Sequence, residues 1–332
     1  LENEVLVLAE EAYKYCKKIL KEVSRSFALS IPMLDDSLQK PVTIVYLQDR
    51  LLDNFEDEIP EDKISLEERF SLMDKVVELF RPDNDNFDDL AVEIAGYAGL
   101  MPEKSLQEMT GNALMIRKAY GELDDLVKEL SFKWLKEMNL GMKKYLSREV
   151  KTFIDLDEYC YYVAGTVGGF LTDLLIYYST IITEEKSESL LANFNASGQF
   201  LQKINLIRDI REDVKQRVKH YWPLVSLRIS LQELIDEENK EAGLAALDRM
   251  IDDVKTHVPN LINYFLAIPE DMPGYRKFYT FNNALGLATI EEMDNNPAVL
   301  YGPERVKVDK SSFLKIMKNP EEAFLKRAWQ YY

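Results

Sequence analysis

Five carboxylates crowd the segment Tyr46-Leu-Gln-Asp49-Arg50-Leu-Leu-Asp53-Asn-Phe-Glu56-Asp57-Glu58, and four of them can share a face. At about 100° per helical residue, Asp49, Asp53, Glu56 and Asp57 point into one sector about 100° wide, and Glu58 points away. Like charges at i, i+4 repel, so a fold with nothing to hold would spread them. A bound cation is the chemical reason to keep them together. The alternative is a plain acidic face turned to water.

A second constellation lies in Gln199-Phe-Leu-Gln202-Lys203-Ile-Asn205-Leu-Ile-Arg208-Asp209-Ile-Arg211-Glu212-Asp213. Gln202, Asn205, Asp209, Glu212 and Asp213 recur every three or four positions, while Ile204, Leu206, Ile207 and Ile210 fill the other faces. The pattern predicts a buried polar stripe, which needs partners. Two such faces opposed across a cavity, with Arg50 and Arg208 beside them, read as a diphosphate clamp. Mg²⁺ is hard and sheds water reluctantly, so one or two carboxylates hold it while phosphate oxygens complete its shell. No P-loop sequence supports ATP binding of that type. Gly165, Gly168 and Gly169 do not follow a strand, which excludes a dinucleotide fingerprint. Each glycine inside a helix costs up to about 1 kcal/mol against alanine, so these three imply close helix approach, a kink, or room for a ligand.

The elements that must position these residues are helical. All 12 prolines lie within residues 32–102 or 223–320, leaving 103–222 clear for long helices. Leu1, Val5, Leu8, Ala12, Tyr15, Cys16 and Ile19 share one helical stripe. Helices are predicted at 2–22, 37–57, 65–80, 87–98, 104–126, 131–148, 156–182, 188–216, 229–254, 256–267, 275–294 and 311–330. With no linker or repeat between them, the expectation is a single domain over 1–332, an all-α bundle with a central cavity. The apolar run 161–182 reads as a buried core helix, because Asp173 near its middle and three glycines argue against a membrane span. Asn195-Ala-Ser197 reads as a helix-start cap rather than a glycosylation site.

Composition removes whole classes. With 41 basic and 58 acidic residues the net charge is −17, which excludes nucleic acid as a partner. A hydrophobic content of 46% excludes a disordered chain. Cys16 and Cys160 are too few for a disulfide scaffold or thiolate site, and His220 and His257 offer no histidine-rich site, so any metal must bind oxygen.

Taken together, Ser24-Arg25-Ser26-Phe27, Asp53-Asn-Phe-Glu56-Asp57, Tyr159-Cys-Tyr-Tyr-Val-Ala-Gly165 and Phe200-Leu-Gln202-Lys203 through Asp213 resemble the squalene/phytoene synthase family, head-to-head prenyl synthases of the all-helical isoprenoid (terpenoid) synthase fold. Within it the wording is more similar to squalene synthases, through Tyr221-Trp222-Pro223 and a segment, Val306-Lys307-Val308-Asp309-Lys310, like the basic flap that approaches NADPH. The resemblance implies a Mg²⁺-dependent prenyltransferase, with Mn²⁺ as substitute. It would condense two farnesyl diphosphates to presqualene diphosphate and reduce that with NADPH to squalene. The alternatives are a dehydrosqualene or phytoene synthase, which takes no hydride, and a non-catalytic helical assembly protein, which the intact acidic faces oppose.

Residue by residue, the resemblance implies metal binding by Asp53, Glu56, Asp57, Asp209, Glu212 and Asp213. It implies diphosphate contacts from Ser24, Arg25, Ser26, Arg50, Gln202, Asn205 and Arg208. Tyr159 takes a proton-transfer or cation-stabilising role and counts with Asp53, Asp57, Asp209 and Asp213 as catalytic, while Lys307 and Lys310 hold the nicotinamide cofactor. Asp309 departs from the pattern, standing where squalene synthases commonly carry Arg, and an acid there would repel a cofactor phosphate. The segment Phe278-Tyr-Thr-Phe281-Asn-Asn-Ala-Leu285 departs as well. The C-terminal anchor of eukaryotic squalene synthases has no counterpart here, so the expectation is either a naturally soluble or peripheral enzyme or one whose anchor has been cut off. The expectation is a monomer without signal peptide or transmembrane helix, cytoplasmic or peripheral on the cytoplasmic membrane face, touching membrane to release product.

Overall fold

Prolines, asparagines and side-chain caps divide the chain into helices. In this computed structural model, which describes residues 2–217 and 220–332, no strand occurs among the described residues, and the predicted all-α class holds. The helices group into two compact units, Leu1–Leu146 and Ser147–Tyr332.

The first unit contains α1 (Glu2–Val23), α2 (Arg25–Ser30), α3 (Asp36–Asp53), α4 (Leu66–Leu79), α5 (Phe87–Ala95), α6 (Lys104–Gly111), α7 (Ala113–Gly121) and α8 (Asp125–Leu146). Ala12, Cys16 and Ile19 of the predicted stripe are fully buried where α1 packs on α3 and α7. Leu1 and the side chains of Val5 and Leu8 lie outside the described residues. The predicted helix 104–126 is interrupted at Asn112, which leaves helical geometry and donates from Nδ2 to the Glu108 carbonyl at 2.7 Å. That side-chain bond competes with the next helical turn.

The second unit contains α9 (Phe153–Cys160), α10 (Thr166–Tyr178), α11 (Glu184–Asn193), α12 (Asn195–Glu212), α13 (Leu224–Leu227), α14 (Leu231–Ile235), α15 (Lys240–Lys255), α16 (Val258–Ala267), α17 (Pro273–Met293), α18 (Ala298–Tyr301), α19 (Lys310–Lys318) and α20 (Pro320–Ala328). Helix α12 is its hub, packing against α9, α10, α15, α16, α17 and α18. The predicted helix 188–216 breaks at Phe194, and 311–330 breaks at Asn319-Pro320, where the proline opens α20. The apolar run ends at Tyr178 with Phe170, Leu174 and Leu175 buried, as a core helix requires. Among the described residues no helix is long and apolar enough to cross a membrane.

Close approach is what the glycines serve. A Cβ at Gly165 would collide with Asn195 Oδ1, one at Gly168 with the Phe194 carbonyl, and one at Gly198 with the Ala164 carbonyl. Asn195 therefore sits in the first turn of α12 facing Gly165, and Phe194 holds the cap position without a side-chain bond.

Among the described residues three π turns interrupt or extend the helices, at Asn54–Glu58, Tyr161–Gly165 and Asp213–Arg217. Each falls at or beside a motif that the sequence singles out for chemistry. Such turns are rare and concentrate at functional sites.

Candidate active site

In the first unit, α3 buries Leu38, Val42, Ile44, Leu47, Leu51 and Leu52 and thereby aims Arg50 and Asp53 at its other face. The π turn then adds Asn54, Phe55 and Glu56, all buried, and half-buried Asp57. Carboxylate oxygens of Asp53, Glu56 and Asp57 lie within 4.8 Å of one another. Asp49 does not join them, because the π turn changes the helical phase after Asp53. Half-buried Asp49 instead has its carboxyl pushed up to about 8 by desolvation. Arg50 donates to Asp53 and, at 2.9 Å, to Glu58 Oε1, so Glu58 is drawn to the same cation instead of facing away.

Beside this group, Ser24 caps α2 by accepting from Phe27 N–H at 3.2 Å. The Phe27 ring packs on Tyr46 of α3 at 5.0 Å. Burial raises the Tyr46 hydroxyl, and its bond to Ser24 and the Arg50 charge oppose that. Arg25 and Ser26 are exposed at the start of α2.

In the second unit the stripe on α12 is more open than predicted. Asn205 and Glu212 are exposed, and Gln202, Asp209 and Asp213 are half-buried. The buried polar residue is the neighbour that sequence reasoning passed over, Lys203, which has no exposed surface. Its Nζ donates to Asp157 Oδ1 and Asp253 Oδ2, both at 2.5 Å, and meets His257 Nε2 at 2.8 Å. Desolvation works against the ammonium, but Asp253 and Asp157 outweigh it and keep it charged. Burial, helped by Lys203, pushes His257 down to about 4, so the imidazole is neutral and accepts. Asp157, Asp253 and His257 are close enough to ligate a metal, yet the lysine already fills that place.

Asp209 receives Arg208 at both oxygens, Nε at 2.8 Å and Nη2 at 2.9 Å, and Arg305 Nε at 3.0 Å. Glu212 pairs with Arg305. Asp213 begins a π turn, and the structure does not gather Asp209, Glu212 and Asp213 as it gathers the first trio. Tyr159 is buried near the end of α9 with its ring stacked on Tyr221 at 4.0 Å, and adjacent Trp222 donates to the Leu206 carbonyl of α12 at 3.0 Å. Lys307 and Lys310 are exposed. Asp309 caps α19, accepting from Ser311 N–H at 2.8 Å and Ser312 N–H at 3.1 Å, with the Ser312 hydroxyl holding it below the usual carboxylate range. Its carboxylate is thus engaged by the start of α19.

Of the acidic sets, Asp53, Glu56 and Asp57 fit a hard divalent cation by donor type and spacing. A broad depression of about 580 Å³ along Glu67, Asp74 and Leu90 contains none of the motif residues.

A profile of the squalene/phytoene synthase family matches residues 20–312. The chain belongs to this family. It is 28% identical to squalene synthase 1 of Arabidopsis thaliana, covering 88% of this chain and 68% of that protein. It is 28% identical to squalene synthase ERG9 of Saccharomyces cerevisiae, covering 90% and 66%. Squalene synthase of Nicotiana benthamiana is 30% identical, covering 87% and 66%. The chain thus spans about two thirds of the length of these curated relatives. A solved complex of TcSQS with the ligand E5700 superposes with a TM-score of 0.83 at 28% identity, covering 97% of this chain and 90% of that one. A dehydrosqualene synthase in complex with a ligand shares the fold, with a TM-score of 0.62 at 19% identity over 96% and 98% of the two chains. Membership in the family makes the protein a prenyltransferase-type enzyme of isoprenoid biosynthesis.

Proposed function

We propose that the protein joins two farnesyl diphosphates head to head into presqualene diphosphate and reduces that intermediate with NADPH to squalene, acting as a monomer and one isoprenoid synthase domain in the cytoplasm or at its membrane face. The observation that carries the reading is the convergence of Asp53, Glu56 and Asp57 within 4.8 Å in a chain matched to the family over 20–312.

These three residues, and Asp209, Glu212 and Asp213 in the second motif, would hold Mg²⁺, which supplies positive charge against a departing diphosphate. Ser24, Arg25, Ser26, Arg50, Gln202, Asn205 and Arg208 bind the phosphate oxygens. Loss of diphosphate leaves an allylic cation that water would quench, so its surroundings must be apolar and electron-rich. Tyr159 offers both a ring face and a hydroxyl, and Tyr221 holds the ring in place. Lys307 and Lys310 contact the cofactor phosphates.

The test is incubation with farnesyl diphosphate and Mg²⁺, with and without NADPH, followed by mass spectrometry of the extract. Squalene formed only with NADPH supports the reading. The same hydrocarbon in both samples replaces it with a dehydrosqualene or phytoene synthase, and no condensation product at all overturns it.

A further inference from the structure

Arg305 lies in the non-helical stretch between α18 and α19. The stretch is fixed at its start by Gly302 N–H donating to the Ala298 carbonyl at 2.9 Å, and at its end by Asp309 capping α19. Between these points Arg305 ties it to α12, with Nε on Asp209 Oδ1 at 3.0 Å and Nη2 on Glu212. Asp209 already accepts Arg208, so one carboxylate stands between two guanidinium groups that share Oδ1. The small cavity beside it, about 100 Å³, is lined by Arg208, Arg211, Lys215 and Arg305 against Glu212 and Glu304. With Asp209 included, four cations face three acids, which leaves a surplus of positive charge.

A dication and a guanidinium compete for the same oxygen lone pairs and repel each other. We propose that Arg305 is a positioning residue that docks segment 303–309 on α12 through Asp209 and Glu212, and that a magnesium diphosphate taking those oxygens releases the segment. This rests on the diphosphate reading above. Release frees Lys307, on the same stretch, to reach a second phosphate-bearing ligand only after the first is seated. Both ion pairs are partly exposed and individually weak, as a contact that must break on ligand binding should be. Linkage makes the competition reciprocal, so the dock that the ligand opens must also weaken the ligand.

The experiment follows hydrogen exchange of the full chain with Mg²⁺ and inorganic pyrophosphate, alongside calorimetry with the same probe. In the wild type, saturation should speed exchange across 303–309. Arg305→Gln should exchange fast throughout and bind magnesium pyrophosphate about three- to tenfold more tightly, a gain that loss of a merely structural contact would not produce. Arg305→Lys should fall between. Calorimetric binding with unchanged or slower exchange of 303–309, and with equal affinity in Arg305→Gln, overturns the dock and leaves the diphosphate reading standing. No binding of magnesium pyrophosphate to the wild type overturns both.

Discussion

Arg69 donates from Nη1 to the backbone carbonyl of Glu56 at 2.9 Å, and the same guanidinium reaches the carbonyls of Phe55 at 2.7 Å and Ile59 at 2.6 Å. A π turn closes its hydrogen bonds over a wider ring, and the chain leaves helical geometry at Ile59, so carbonyls there need other donors. Arg69, 4% exposed, supplies them from α4. Burial lowers its pKa, and Asp57, Glu61 and Glu56 oppose that shift. The cation that organises the acidic turn from behind is therefore part of the protein itself.

Arg69→Met should cost at least about 3 kcal/mol, since buried acceptors left without a partner cost roughly 1–3 kcal/mol each. Urea denaturation measures it. The variant should also need more Mg²⁺ for activity, because Glu56 loses its backbone support. An unchanged denaturation midpoint would show that water replaces Arg69 without loss.

Asp53→Asn and Asp209→Asn should each lower turnover by about 10²–10³-fold, the scale seen when one preorganised electrostatic contact is removed. Circular dichroism should stay at the wild-type level, because neither side chain is in the core. Full activity in either variant would remove that residue from diphosphate activation.

Tyr159→Phe keeps the ring that stacks on Tyr221 and removes only the hydroxyl. Formation of the first condensation product should drop by about 10²–10⁴-fold with little change in melting temperature. The opposite pattern, normal turnover with lower stability, would make Tyr159 a packing residue.

The helical class and the gathering of Asp53, Glu56 and Asp57 could be read from spacing, because both depend on neighbours within two turns. Arg69, Lys203 and Arg305 could not. Lys203 looks like one more charge beside a polar stripe, and its partners lie 46, 50 and 54 residues away, on other helices or just before one. The phase assigned to Asp49 failed for a related reason: a regular 100° step does not survive a π turn, and nothing in Asn54-Phe55-Glu56 announces one. Arg305 was passed over because its partners become visible only when α12 and the stretch after α18 are placed together.

Lys203→Met leaves two carboxylates facing a buried gap. Removing one partner of a buried ion pair costs about 3–5 kcal/mol, and the 46% exposure of the Asp157 side chain moves the expectation to the lower end. Chemical denaturation reads the loss. Lys203→Met with Asp253→Asn should recover part of it, and failure to recover any would mean that the lysine stem, not its charge, is what matters.

His257 gives the same cluster a pH signature. Its ordinary value of 6.5 falls to about 4 in the fold, so between these values the unfolded chain binds a proton that the folded chain refuses. Stability from this group is complete above pH 6.5 and declines as pH falls toward 4. His257→Gln should flatten that part of the stability curve relative to wild type, measured as urea midpoints at pH 5 and pH 7. Parallel curves for the two proteins would exclude His257 as the source.

The three π turns make these motifs intolerant of a kind of change that residue-type comparison does not detect. Deleting one residue from Asn54–Glu58 would let an ordinary α turn close in place of the wide one, so the chain beyond would keep its direction while the residues within the turn lost the spacing that the wider ring gives them. A descendant with that deletion could keep every acidic letter of the motif and still lose the aim of Glu56 and Asp57. At these three places natural selection has to hold the number of residues as firmly as their identity.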